Sequence, residues 1–183
     1  MKKTLALLAS LTLITAVCAG VLAFVNSFSA PKIKAAAAAA KNEKARAVMP
    51  ETAVEVKTVK DSSGAEIAVG YAKDGSIAGY ALEGSAKGYG GAVTVMAGFR
   101  PDLTLVGYEK IDAKETPGLG AKFTDPAFSA QFAGKDASKP LAVKKDGGEI
   151  VPITAATITS RAVCNAVNEA AARLKKHIGE SGR

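Results

Sequence analysis

The stretch Thr154-Ala155-Ala156-Thr157-Ile158-Thr159-Ser160 stands directly before an amphipathic segment near the end of the chain. Beyond this stretch, apolar residues recur at helical spacing: Val163, Val167, Ala170, Ala171, Leu174 and Ile178. The spacing predicts a helix with one apolar face, which begins at about Ser160 and ends at Gly179. A helix N-terminus presents free backbone N–H groups, so the hydroxyl-rich stretch is either a helix cap or a place that favours a phosphate.

Short alternating segments precede this helix, and turn residues separate them. The predicted strands are residues 54–59, 66–72, 76–82, 91–98, 103–111, 141–144 and 149–153. Lys73-Asp74-Gly75 is typical of a hairpin turn, and Asp125-Pro126 is typical of the start of a short helix, here predicted to reach Phe132. We therefore expect an α+β domain, in which packed helices cover a twisted and mainly antiparallel sheet.

Composition and charge exclude several classes of function. The chain has 183 residues and a net charge of +7, of which Lys2 and Lys3 contribute two, leaving +5 spread over the rest. No basic stripe with interleaved aromatic residues is present, so nucleic acid is not an expected partner. Cys18 lies in the apolar N-terminal run and Cys164 lies on the predicted last helix, so the two are not expected to form a disulfide. The single histidine, His177, is accompanied by no second histidine and no cysteine cluster, so a metal site is not expected.

The N-terminus predicts a membrane anchor. Residues 4–25 are 22 consecutive residues without a charge, and about 20 residues span a bilayer. We predict a transmembrane anchor over residues 1–30, with cleavage near Ala30 and a lipoprotein signal ending at Cys18 as alternatives. Residues 31–50 are rich in alanine and lysine and form either a helical stalk or a flexible tether. Residues 51–183 form the domain, which is expected outside the inner (cytoplasmic) membrane.

Three segments could carry chemistry. The segment Gly88-Tyr89-Gly90-Gly91 allows close backbone approach beside an aromatic ring. The segment Glu115-Thr116-Pro117-Gly118-Leu119-Gly120 contains a Pro-Gly pair that suits a type II turn. The third segment is Thr154–Ser160. Each has an ordinary structural explanation when taken alone, namely a strand edge, a turn and a helix cap.

In this order, the three segments resemble the FMN-binding domain of the G subunit of Rnf-type electron transport complexes. The C subunit of the sodium-pumping NADH:quinone oxidoreductase is a relative of that protein. The family motif Ser/Thr-Gly-Ala-Thr-x-Thr-Ser is matched by residues 154–160, and Glu-Thr-Pro-Gly-Leu-Gly is matched in full by residues 115–120. The chain departs from the family at Ala155, where glycine is usual, and at Val151, where an acidic residue is often found.

The resemblance implies that Thr157 carries FMN, esterified through its phosphate by an external flavin transferase. No catalytic side chain is then expected in this chain. The other expected cofactor-binding residues are Tyr89, Glu115, Thr116, Gly118, Leu119, Thr154, Ala155, Ala156 and Thr159. Lys122 is either close to the flavin or an ordinary solvated lysine.

The resemblance also implies partners. The chain would be a single-pass electron-transfer subunit, assembled with the other subunits of a membrane complex that couples electron flow between ferredoxin and NAD to ion translocation. Two alternatives stay open at this point. One is an envelope module that binds flavin without a covalent bond, or binds another ligand. The other is a secreted domain without a cofactor, in which the threonine-rich stretch only caps a helix.

Overall fold

The computed structural model describes residues 2–61 and 64–181, and the chain divides into two compact units, Met1–Ala40 and Lys41–Arg183. In chain order the elements are helix α1 (Lys2–Ala47), strands β1 (Glu55–Lys60), β2 (Glu66–Tyr71), β3 (Ile77–Lys87), β4 (Ala92–Phe99) and β5 (Leu105–Ala113), and helices α2 (Pro126–Ser129) and α3 (Thr157–Ser181). Gly120–Thr124 and Lys144–Asp146 form short 3-10 helices. The predicted α+β class is confirmed.

Helix α1 is continuous through Pro31, so the predicted anchor and stalk lie on one helix. From Ser10 onward it is long and apolar enough to cross a membrane. Apolar side chains such as Leu22 and Phe24 are exposed, which is typical of a helix whose solvent is lipid. The division of this region at residues 30 and 50 stays a prediction.

The strands of the described chain form a five-stranded meander in the order β1-β2-β3-β4-β5, and every neighbouring pair is antiparallel. Successive side chains point to opposite faces. Ile67, Val69 and Leu82 therefore enter the main core, whereas Ala68 and Ala81 face the other side of the sheet. The predicted hairpin at residues 73–75 is present between β2 and β3.

Helix α3 covers one face of the sheet and packs on β3 and β4. Its predicted apolar face is buried, including Val163, Val167 and Leu174. A Cβ on Gly84 would overlap the carbonyl of Ala166, so glycine lets the two backbones touch. The helix begins at Thr157 and continues to Ser181, so the predicted limits at Ser160 and Gly179 were both too narrow.

Polar groups hold α3 along β3. The Glu169 carboxylate accepts a hydrogen bond from the Ser85 N–H at 2.7 Å, and Arg173 donates to the Glu83 carbonyl at 3.0 Å. Arg173 also pairs with Asp61 at 3.0 Å. Because these contacts lie on both sides of Gly84, they fix the position of α3 along β3. The start of α3 therefore lies at a defined edge of the sheet.

Aromatic packing supports the segment after β5. The Tyr108 and Phe132 rings meet edge to face at 5.0 Å, and the Tyr108 hydroxyl donates to the carbonyl of Phe123. Burial raises the pKa of Tyr108. Phe128, on α2, packs against Phe132 at 5.4 Å. The predicted helix over residues 125–132 is therefore shorter than expected, with α2 restricted to Pro126–Ser129 and turns after it.

The other face of the sheet receives the end of α1. Ala45, Val48 and Met49 are buried against residues Ala68, Ala81 and Met96. Lys41 pairs with Glu66 at 2.9 Å and with Glu83 at 3.4 Å. This part of the chain lacks a broad apolar stripe, yet it packs on the sheet, because the facing residues there include alanines that leave room for it.

The prediction of two strands at residues 141–144 and 149–153 is wrong. Val143 and Ile150 form a single parallel bridge, and residues 144–146 form a 3-10 helix that ends at Gly147, whose φ is 82°. Both bridge residues are fully buried. Their apolar character reflects packing in the core, because the segment is a loop that delivers the chain to α3.

Candidate functional site

One cavity brings together the three segments singled out in the sequence. Its volume is about 580 Å³, and small-molecule sites typically measure about 300–1,000 Å³. The lining residues come from the 88–91 segment, the 115–120 segment and the start of α3: Tyr89, Glu115, Thr116, Leu119, Gly120, Ala155, Ala156, Thr157, Ile158 and Thr159. Segments far apart in the chain therefore form one wall.

Glu115 connects the three segments through its carboxylate. Its Oε1 accepts hydrogen bonds from the backbone N–H groups of Tyr89 at 2.9 Å and Gly90 at 3.2 Å. Its Oε2 accepts a hydrogen bond from the Thr159 hydroxyl at 2.7 Å. A Cβ on Gly120 would collide with this carboxylate and lie 2.7 Å from Thr159 Oγ1. Glu115 is therefore a brace of the cavity wall, and the glycine is required for it to fit.

Helix α3 begins without a side-chain cap. The carbonyl of Ala156 accepts the hydrogen bond of the Ser160 N–H at 3.0 Å, which places alanine at the N-cap, where it has no oxygen to offer. Within the described chain, no group accepts a hydrogen bond from the backbone N–H of Thr157, Ile158 or Thr159. Three donors at the positive end of the helix dipole are thus available to an anion.

The hydroxyl groups of the threonine-rich stretch have separate roles. Ser160 is fully buried; its hydroxyl accepts from the Ile153 N–H and donates to the Ala156 carbonyl, both at 3.0 Å. Thr159 is also buried and is engaged by Glu115. Thr157 is half-buried in the cavity wall, and Thr154 is exposed. Two hydroxyls therefore stabilise the fold, and two face outward.

Ala155 has a left-handed backbone, with φ at +60°. This conformation costs a residue with a Cβ roughly 1–2 kcal/mol. Glycine is usual at this position in the family that the motif resembles, and the conformation gives a physical reason for it. The strain lies two residues before Thr157, in the wall of the cavity.

The surroundings of Thr157 are basic. The Lys145 ammonium lies 3.4 Å from Thr157 Oγ1. One turn further along α3, Arg161 binds both carboxylate oxygens of Asp146, at 2.6 and 2.7 Å. The hydrogen bonds from Arg161 lower the pKa of Asp146 and raise that of Arg161. The Asp146 carboxylate is thus already neutralised by Arg161.

Apolar side chains stand exposed around the same cavity. Tyr89 is 73% exposed, Ile158 is 48% exposed and Leu119 is 44% exposed. Isolated exposed apolar residues are ordinary on protein surfaces, but three that line one cavity indicate a site for a ligand with an apolar face.

The structure brings most of the predicted site residues together, but not all. Tyr89, Glu115, Thr116, Leu119, Ala155, Ala156, Thr157 and Thr159 line the cavity. Gly118 does not line it but has a φ of +76°, which the turn requires. Thr154 and Lys122 line a neighbouring cavity of about 310 Å³.

Sequence reasoning missed Gly120, Ile158 and Lys145. The first two lie inside the quoted motifs and could have been included on that ground. Lys145 lies 12 residues before Thr157, between the strands predicted at 141–144 and 149–153, so no local pattern connects it to the site. Its proximity to Thr157 follows from the loop that stands in place of the two predicted strands.

The described residues offer little support for a metal site or a reactive cysteine. No group of three or more His, Cys, Asp or Glu side chains there is arranged to hold a metal ion. Cys18 and Cys164 are unpaired, and burial raises the pKa of the Cys164 thiol to about 12. His177 lies at a separate apolar cavity with Tyr71 and Tyr80.

Comparisons with known proteins agree on one family of domains. Residues 88–172 match the FMN-binding domain family. The match begins at the 88–91 segment and ends within α3, so it contains all three motif segments and Lys145. The match supports FMN as the cofactor of this domain.

Curated relatives share this region and, in one case, nearly the whole chain. The chain is 29% identical to the G subunit of an ion-translocating oxidoreductase complex from Methanosarcina acetivorans, over 92% of this chain and 93% of that protein. It is 42% identical to the G subunit of the Na⁺-translocating ferredoxin:NAD⁺ oxidoreductase complex from Acetobacterium woodii, over 44% of this chain and 41% of that protein. Against the second relative, the matched part spans about two fifths of its length. The predicted resemblance to the G subunit of Rnf-type complexes is confirmed.

A solved structure shares the fold. The chain superposes on the C subunit of the Na⁺-translocating NADH-quinone reductase from Parabacteroides distasonis with a TM-score of 0.51 and 24% identity, over 71% of this chain and 78% of that one. At this identity the likeness concerns the fold alone.

Proposed function

We propose that this chain, like the G subunits it resembles, is a membrane-anchored electron-transfer protein, and that it carries FMN on Thr157 through a phosphate ester. The observation that carries the proposal is the position of Thr157. Its side chain lies in the cavity wall at the start of α3, beside the unpaired N–H groups of residues 157–159 and the Lys145 ammonium.

The residues of the cavity fit FMN at both of its ends. The phosphate end matches the helix N-terminus, because free N–H donors and the helix dipole favour an anion. The exposed side chains of Tyr89, Leu119 and Ile158 offer apolar surface to a flat ring system. When bound, the flavin supplies the electron-transfer chemistry, and the protein holds it and excludes water from part of its surface.

Thr157 suits attachment better than the other hydroxyl residues of the stretch. Thr159 donates to Glu115 and Ser160 is fully buried with two hydrogen bonds, so modification of either would break the fold around α3. Thr154 is exposed but lines the neighbouring cavity. Thr157 alone among the four combines solvent access with the helix N–H groups.

The attachment is a substitution at phosphorus. A flavin transferase would supply a flavin phosphate that bears a leaving group; the Thr157 oxygen loses its proton, forms the P–O bond, and the leaving group departs with the proton. The product has the mass of the chain plus FMN less one water. Since the transferase provides the catalysis, the absence of a base beside Thr157 in the described chain is consistent with this reaction.

Helix α1 and the relatives together support a single-pass membrane protein that works with partner proteins of a complex. We propose that the FMN domain lies on the extracytoplasmic side of the inner membrane. One helix cannot form an ion pathway by itself, so ion translocation would belong to the other subunits of the complex. Ferredoxin and NAD are the proposed electron donor and acceptor, as the name of the Acetobacterium woodii relative states for that protein.

Intact mass spectrometry of the full chain, made with and without a flavin transferase, tests the proposal. We expect the transferase to add the mass of FMN less water, and peptide mapping to place it on Thr157. Thr157→Ala should abolish the added mass and the flavin fluorescence of the denatured band, whereas Thr154→Ala should retain both.

Two outcomes would contradict the proposal. Flavin that is present in the native protein but lost on denaturation would indicate a non-covalent site, which the strain at Ala155 makes worth testing. Flavin that stays attached in Thr157→Ala would place the ester on another residue.

A further inference from the structure

We infer that Lys145 is a positioning residue for the phosphodiester at Thr157, an inference that rests on the proposed function. Its ammonium lies 3.4 Å from the Thr157 hydroxyl oxygen, the atom that would carry the ester. A phosphodiester keeps one negative charge at neutral pH, and a lysine ammonium is a compact cation that pairs with phosphate oxygens.

The backbone of Lys145 is held on both sides. Before it, Val143 is fully buried and forms a bridge with Ile150, and the Lys144 N–H donates to the Ile150 carbonyl at 2.8 Å. After it, Asp146 is bound to α3 by Arg161. Although the Lys145 side chain is exposed, the positions of its Cα and of Thr157 are therefore linked through the same helix.

The charge of Lys145 is not neutralised by a carboxylate. Asp146, its neighbour in the chain, is engaged by Arg161 through both oxygens. Among the described residues, the ion pairs formed by lysines involve other residues than Lys145. The ammonium thus faces the one hydroxyl that would bear a phosphate.

Lys144 is a matched control on the same 3-10 helix. It is also exposed and carries the same charge. Within the described chain its side chain forms no hydrogen bond, with Thr157 or with any other group. A difference between the Lys145 and Lys144 variants therefore reports the contact of Lys145 with Thr157 and not the net charge of the loop.

The test uses the detergent-solubilised, flavinylated full chain and observes the ³¹P resonance of the phosphodiester. We expect Lys145→Gln to shift this resonance, and Lys144→Gln and Lys145→Arg to leave it close to that of the wild type. The melting temperature supplies a second readout: the difference between flavinylated and unmodified protein should fall with added salt in the wild type and in Lys144→Gln, and should be smaller and less sensitive to salt in Lys145→Gln.

Equal ³¹P resonances and equal salt dependence in Lys145→Gln and Lys144→Gln would overturn the inference. That result differs from a failure of the proposed function, in which the wild-type chain itself would show neither covalent flavin nor a phosphorus resonance. Unmodified Lys145→Gln should melt at the temperature of unmodified wild type, since the residue is exposed.

Discussion

The two segments that Glu115 joins in the cavity wall use their polar groups in opposite ways. In the 115–120 segment, the Glu115 carboxylate is fully engaged and the left-handed position is occupied by Gly118. In the 154–160 segment, three backbone N–H groups have no partner within the described chain, and the left-handed position is occupied by Ala155. The first segment has its polar groups satisfied within the fold, and the second leaves backbone donors free beside a strained residue.

The largest expected effect comes from removing the brace. Glu115→Ala leaves the N–H groups of Tyr89 and Gly90 and the Thr159 hydroxyl without their acceptor. We expect a loss of about 2–3 kcal/mol in the free energy of unfolding, because hydrogen bonds to a charged group are the strong ones. Urea denaturation of the unmodified chain, followed by tyrosine fluorescence, measures it. All four tyrosines lie beyond residue 70, so the signal reports the domain, and Glu109→Ala, which changes an exposed glutamate on β5, is the control.

A smaller effect separates two neighbouring threonines. Thr159→Val should cost about 1 kcal/mol of stability, since it removes one buried hydrogen bond while conserving shape. Thr157→Val should change stability little and abolish covalent flavin. Urea midpoints and in-gel fluorescence together distinguish the two variants, and the same result in both would mean that the two threonines do not divide their roles in this way.

Backbone strain supplies the next prediction. Ala155→Gly should stabilise the unmodified chain by about 0.5–1 kcal/mol, because it relieves a left-handed alanine and loses part of that gain to the greater entropy of the unfolded glycine. Gly118→Ala is the reciprocal control and should destabilise the chain, although a Cβ there would meet no atom within 4 Å. Urea midpoints that move in the same direction in both variants would contradict the assignment of strain.

The smallest effect concerns the ion pair beside Thr157. Because Arg161 lowers the pKa of Asp146 in the folded chain, the pair stabilises the fold above the ordinary pKa of about 3.9, and this contribution is lost as the pH falls through the folded value. The urea midpoint of Asp146→Asn should therefore lie slightly below that of the wild type at pH 7, and the two should converge in acid. A difference between the two urea midpoints that persists at low pH would mean that the ion pair is not its cause.

Periodicity and turn chemistry predicted the sheet and α3, because alternation and the 3.6-residue repeat are local properties of the chain. The loop at residues 141–153 was missed since its apolar residues, Val143 and Ile150, are set by core packing and not by strand pairing. The same limit applies to the site. The three motifs contain most of the residues that line the cavity. The hydrogen bonds of Glu115 and the contact of Lys145 with Thr157 join segments that are distant in the chain, and no local pattern reveals them.

The meander has a consequence for the order in which the molecule assembles. Each strand pairs with its neighbour in the chain, so the sheet needs only short loops to close. The contacts of Glu115 span 26 residues to Tyr89 and 44 residues to Thr159, and the entropy cost of closing a loop rises with its length. The contacts that close the cavity therefore form larger loops than the hairpins of the meander do. Occupancy at Thr157 would accordingly mark a chain in which these long-range contacts have formed.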